Sequence, residues 1–274
     1  MMSGGSGVRE PAVRREVWYT PRLCLYGCAA MLAASLSYGL LRMPLQVHDS
    51  LDEIIEVHQL PGVWASFTAT IGESAYFRPL RFAKDKLLME VSGGHYFAAF
   101  KAFHIALVIA ALALFIGALR IETAIDLAAA MFALAVFAGL HTFLGVVKEA
   151  YPINHFLEIL VLALAAMHLS RSRGGWRIDA AAIFVFVAAC LTLESGILIW
   201  VVIATSRMLG RRGVSGRAFA VLTLLLAGYL LVRFVWLSPN LQGDGQRVRI
   251  FLRAAGASPD PAALRQRIHA IQHV

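Results

Sequence analysis

Seven long apolar runs dominate the chain, at residues 23–43, 96–119, 125–147, 153–170, 178–193, 195–206 and 218–237. A helix of about 20 apolar residues crosses a bilayer with every backbone amide paired inside its own segment. The runs therefore predict an all-α, polytopic membrane protein of about seven transmembrane helices. Composition agrees: 59% of the residues are hydrophobic and 15% charged, against roughly one half and one quarter in soluble domains. The cleavable core of a signal peptide spans only about 7–15 residues. The run at 23–43 exceeds that and reads as a retained first span.

Charge sets the orientation. The net charge of +8 is first a topology signal, since cytoplasmic loops collect Lys and Arg. Arg9, Arg14, Arg15 and Arg22 precede the first run, which places the N-terminus in the cytoplasm. Arg120 closes the second run, Arg171, Arg173 and Arg177 follow the fourth, and Arg207, Arg211, Arg212 and Arg217 precede the last. If these clusters share one side, residues 178–206 form a hairpin with Glu194 near its outer tip. Arms of about 15 residues cover roughly 22 Å of a 30 Å core, so that hairpin is thin. The expected organisation is a basic cytoplasmic segment at 1–22, a membrane module at 23–237 with an external loop at 44–95, and a short basic tail at 238–274. The tail arginines oppose the external placement that this count gives it. Cys24, Cys28 and Cys190 lie in apolar runs and read as small core residues. With no nucleic-acid module spacing, no nucleic-acid partner is expected.

The external loop concentrates the ionisable groups. Asp49, Asp52, Glu53 and Glu56 repeat at helical spacing, crowding like charge on one face. Such crowding raises a carboxyl pKa or calls for a cation. The face serves either as a general base or cation holder, or simply as a solvated helix start. Further on come Tyr76, Phe77, Arg78, Arg81 and Lys84. Pro79 holds Arg78 extended. A guanidinium fork suits phosphate oxygens, and pairing with Asp85 and Glu90 is the alternative. Short amphipathic helices are expected at 51–58, at 63–71 and around Leu87 to Val91, the last ending at Gly93 and Gly94. His141, Lys148, Glu149, Asn154, His155, Glu158 and Glu194 also fall on the outer side. Lys101 and His104 lie near the outer end of the second span, where snorkelling is expected.

The order of these features resembles the GT-C superfamily of integral-membrane glycosyltransferases, which includes protein O-mannosyltransferases and aminoarabinose transferases. The resemblance rests on the acidic residues after the first helix, on Tyr76-Phe77-Arg78-Pro79-Leu80, on the helix entry at Asn154-His155-Phe156-Leu157-Glu158, and on Leu193-Glu194-Ser195-Gly196-Ile197, where Leu193 replaces the usual lysine. It implies transfer of a sugar from a polyprenyl-phosphate donor to an acceptor hydroxyl at the external face of a membrane, here the bacterial inner membrane. Asp49, Asp52 and Glu53 become the candidate catalytic carboxylates, with Asp49 preferred. Arg78, Arg81 and Lys84 become the donor-phosphate ligands. Tyr76, His141, Asn154, Glu158 and Glu194 are further site candidates. Some members use a divalent metal, and the sequence assigns no metal ligands. Family members usually continue with more helices, which implies a partner subunit supplying a C-terminal module alongside the lipid and donor. The alternatives are a non-catalytic or truncated accessory protein of the same architecture and, further off, a transporter component.

Overall fold

The computed structural model describes residues 13–43, 49–69, 77–139, 141–148 and 153–236. At 13–21, 49–52, 141–142 and 235–236 it describes the backbone alone. Among the described residues the structure is all-helical. The helices are α1 (Val13–Arg42), α2 (Asp49–Gln59), α3 (Val63–Ala69), α4 (Pro79–Val91), α5 (Tyr96–Ala118), α6 (Ala124–Gly139), α7 (His141–Lys148), α8 (His155–Arg171), α9 (Trp176–Thr192), α10 (Leu198–Met208) and α11 (Gly216–Leu231). A 3₁₀ turn (Glu194–Ile197) joins α9 to α10, and a π turn (Val232–Trp236) follows α11.

Among the described residues every expected apolar run is mainly helical. Three helical segments among the described residues are long and apolar enough to cross a membrane: Arg22–Arg42, Tyr96–Ala118 and Gly216–Phe234. The others are shorter. Helices α8 and α9 have 17 residues each, α6 has 16 and α10 has 11. The run expected at 125–147 is helical on both sides of residue 140, as α6 and α7, and residue 140 itself lies outside the described residues. Helix α1 already includes Val13, ahead of the apolar run expected from Leu23.

Helix α8 is the hub of the fold. Its Leu157 packs with Leu25, Val108, Leu112, Leu134 and Val147 in a core shared with α1, α5, α6 and α7. Its Ile159 and Ala166 pack with Phe186, Ile199, Ile203 and Leu222 in a second core shared with α9, α10 and α11. A third, smaller core under the loop helices holds Ile54, Val57, Met89, Phe100 and Ile153. All three bury apolar surface that individual helices cannot cover alone.

The helix ends sort onto two sides. At one, Arg22 donates to the Ile121 carbonyl and Arg171 to the Ala118 carbonyl at 2.7 Å. On the same side Asp179 accepts from the Ser215 amide at 2.8 Å, and the Gly213 amide donates to Ser170. At the other side Lys101 donates to the carbonyls of Leu41 and Met43 at the end of α1. His104 does not snorkel. It is fully buried, with Nε2 2.8 Å from the Val147 carbonyl oxygen at the end of α7. Cys24 is exposed and Cys28 half-buried, so only Cys190 is a core thiol.

Candidate functional site

Helix α4 brings most of the loop's charge together. Pro79 sits in its first turn, where the missing N–H costs nothing and the fixed φ favours helix. Arg78 just before it is non-helical, at φ −130° and ψ 52°. Along α4, Arg81, Lys84 and Asp85 recur at i, i+3 and i+4, so they share a face. That face meets α2 and α8. On α2, Glu53, Ile54 and Val57 point inward while Ile55, Glu56 and His58 are exposed. On α8, Asn154 is the N-cap. Its side-chain oxygen accepts from the Leu157 amide at 3.0 Å, and its amide donates to the Val146 carbonyl. This cap places His155 and Glu158 one turn apart over the loop.

The result is a buried charge network. Arg81 donates through Nε and Nη2 to the two oxygens of Glu53, each at 2.5 Å. His155 Nε2 lies 3.2 Å from both of those oxygens. On the far side of the ring, Nδ1 lies 3.2 Å from Glu158 Oε1 and 3.2 Å from Lys84 Nζ. Lys84 donates to Glu158 and stands 3.3 Å from Asp85 Oδ1. Asp85 is 1% exposed, and neither of its oxygens has a hydrogen-bond partner.

Burial and pairing oppose each other here. Burial disfavours the Glu53 carboxylate, yet His155 and Arg81 outweigh it and hold the group well below the usual carboxylate range. Burial also works against the Lys84 ammonium, and Asp85 and Glu158 reverse that, keeping Lys84 charged beyond its ordinary range. Arg81 is likewise held charged against burial, chiefly by Glu53. Asp85 goes the other way. Burial dominates, and its carboxyl is pushed up to about 7 despite Lys84.

A second, more open cluster lies at the start of α4. Arg78 donates through Nε to Glu194 Oε1 and Oε2 at 3.0 and 2.9 Å, and through Nη2 to Oε2 at 2.6 Å. Arg233, from the π turn after α11, reaches Glu194 Oε1 at 3.5 Å. Phe77 and Tyr229 stack obliquely beside them, with ring centroids 6.4 Å apart. The hydroxyls of Tyr229 and Ser195 are buried without hydrogen-bond partners. Gly196 makes the close seating of Glu194 possible. A Cβ there would collide with the Ala189 carbonyl and the Cys190 amide nitrogen.

Of the expected site residues, Glu53, Arg81, Lys84 and Glu158 meet in the buried network, and Arg78 and Glu194 in the open one. Asn154 holds the first network from behind, as the α8 cap. Asp49 and Asp52 lie on the first turns of α2 and His141 opens α7, but their side chains are outside the described residues. Tyr76 lies outside them altogether. The sequence reading missed His155, Asp85, Arg233 and Tyr229 as site residues. His155 and Glu158 share an i, i+3 spacing that signals a common face. Arg233, an arginine inside an apolar run, carries the usual signature of a functional charge. No protein-family model, no curated protein and no solved structure matches this chain.

Proposed function

We propose that the chain is a multi-pass membrane glycosyltransferase that moves a sugar from a polyprenyl-phosphate donor to an acceptor hydroxyl at the external face. One observation carries the reading. Two guanidinium groups distant in sequence, Arg78 of the loop and Arg233 at the end of the last apolar helix, converge on Glu194 beside two buried, unpartnered hydroxyls. Glu194 keeps both arginines oriented, and a phosphate oxygen matches the donor geometry the carboxylate now uses. The sorting of helix ends supports a seven-crossing topology. Arg22, Arg120, Arg171 and Arg207 then lie on the cytoplasmic side, and both charge clusters on the external one.

In this reading the donor phosphate lies against Arg78 and Arg233, its lipid running along the apolar helices. The acceptor oxygen attacks the anomeric carbon from the face opposite the phosphate. The bond from that carbon to the phosphate oxygen breaks with inversion, and the electron pair leaves on the lipid phosphate. The acceptor proton passes to Asp49. The arginines matter most as charge builds on the departing phosphate. Glu53, bonded through both oxygens, positions Arg81 and His155 instead of taking the proton.

The second reading is a non-catalytic accessory protein of the same architecture. It draws on Arg81 and Lys84, whose positions are accounted for by Glu53 and Glu158. Binding of a radiolabelled polyprenyl-phosphate sugar, with transfer in membrane extract scored alongside, separates the two. The transferase reading expects donor binding at least tenfold weaker in Arg78→Ala and Arg233→Ala. It expects retained binding with lost transfer in Asp49→Asn. Equal binding by all variants with no transfer by the wild type selects the accessory protein.

A further inference from the structure

We infer that Glu53, Asp85 and His155 form a binding site for a divalent transition-metal ion of the zinc class. One oxygen of each carboxylate and one nitrogen of the imidazole lie within 4.8 Å of one another, all on buried residues. Small shifts bring such a set to the spacing of ligands around one ion. Mixed imidazole and carboxylate donors suit zinc and its first-row neighbours better than calcium or magnesium.

Asp85 carries the argument beyond a cluster of acids. It comes from α4, is 1% exposed and has two oxygens with no hydrogen-bond donor. A buried carboxylate in that state is costly unless something binds it. Lys84 Nζ is 3.3 Å from one of those oxygens, but its hydrogen bond goes to Glu158. Asp85 is thus left with one ion-pair contact and no hydrogen bond, and a cation among the three ligand residues would give its second oxygen a partner.

The imidazole is oriented for this role. Nε2 is the ring nitrogen facing Glu53, at 3.2 Å from both carboxylate oxygens. Nδ1 faces Glu158, also at 3.2 Å. A ligating histidine characteristically donates its other ring N–H to a carboxylate, which fixes the tautomer and the ring plane. Glu158 stands in that position, beside Lys84 Nζ at the same 3.2 Å from Nδ1. Charge also fits. Arg81 and Lys84 offset two of the three carboxylates, leaving the negative charge of Asp85 for the ion. The site is independent of the transferase reading, because metal content is measured without donor or acceptor.

The test uses the full-length chain purified in detergent, loaded with zinc chloride and desalted. Elemental analysis is expected to return one zinc per chain for the wild type. Asp85→Asn and His155→Gln are expected to hold less than about a tenth of that, and a variant with Cys24, Cys28 and Cys190 all changed to Ala should keep it. X-ray absorption of the zinc-loaded wild type is read whether or not the variants fold. It should show an imidazole and oxygen ligands at about 2.0–2.2 Å, with no sulfur at about 2.3 Å. Zinc well below one per chain in the wild type, a sulfur shell, loss of zinc in the cysteine-free variant, or zinc retained by well-folded Asp85→Asn and His155→Gln would each overturn the assignment.

Discussion

Two charge clusters hang from the same helix, and they are built for different ends. In the network of Glu53, Arg81, Lys84, Asp85, His155 and Glu158 the carboxylates and the histidine are nearly dry: the Glu53 side chain is 4% exposed and that of His155 7%. Its bases Arg81 and Lys84 are about as exposed as Arg78. The triad of Arg78, Glu194 and Arg233 has the wetter carboxylate, with the Glu194 side chain 27% exposed. Water screens the second and weakens each pairing. In the first, each charge depends on its neighbours, and removing one strands the rest. The inner network therefore holds the loop to α8, while the outer triad is open enough to exchange its carboxylate contact for a ligand.

Glu53→Ala is the largest test of this contrast. It strands Arg81 and His155 in a buried site and is expected to cost about 3–5 kcal/mol, measured by unfolding in detergent. A loss below about 1 kcal/mol would mean that the inner network is no more cohesive than a surface pair. Gly196→Ala comes next. The added Cβ must displace the backbone at Ala189, which costs about 1–3 kcal/mol and shifts Glu194. Donor binding should fall with stability in this variant, whereas a change in stability alone would detach Glu194 from the site. Asn154→Ala removes the α8 cap and should cost about 1 kcal/mol, read from the same unfolding transition. The smallest stability effect belongs to Arg78→Ala, below about 1 kcal/mol because the triad is partly exposed. A larger loss there would erase the distinction between the clusters.

Much of the fold is legible in the sequence because it follows from hydropathy. Among the described residues each apolar run is mainly helical, and Gly93 and Gly94, at φ 57° and 97°, close α4 where a stop is read. The errors have local causes. Helix α4 is expected only from about Leu87, since Arg78, Arg81 and Lys84 read as phosphate ligands or as partners of Asp85 and Glu90. Arg81, Lys84 and Asp85 are a polar face buried against two other helices, and Pro79 marks the true start. The carboxylates and bases of the loop are visible as candidates, but their pairing is not. Glu53 finds its histidine 102 positions away, and Arg78 finds Glu194 at a separation of 116. Pairings over such distances follow from how the bundle closes. Local spacing holds no record of them, so the partners of Arg233 and of Glu53 stay hidden until the helices are packed.

The separation between Glu53 and His155 also sets a timetable. At about 5–20 residues per second, roughly 5–20 s of synthesis divide the emergence of these two side chains. For that interval the loop's acids and bases have no helix α8 to meet and stay hydrated. The network can form only after the fourth apolar segment has been delivered, so its closure reports that the first half of the bundle is assembled. A chain stalled or mis-inserted before that point would expose an unlocked, protease-accessible loop, and a quality-control protease could recognise it there.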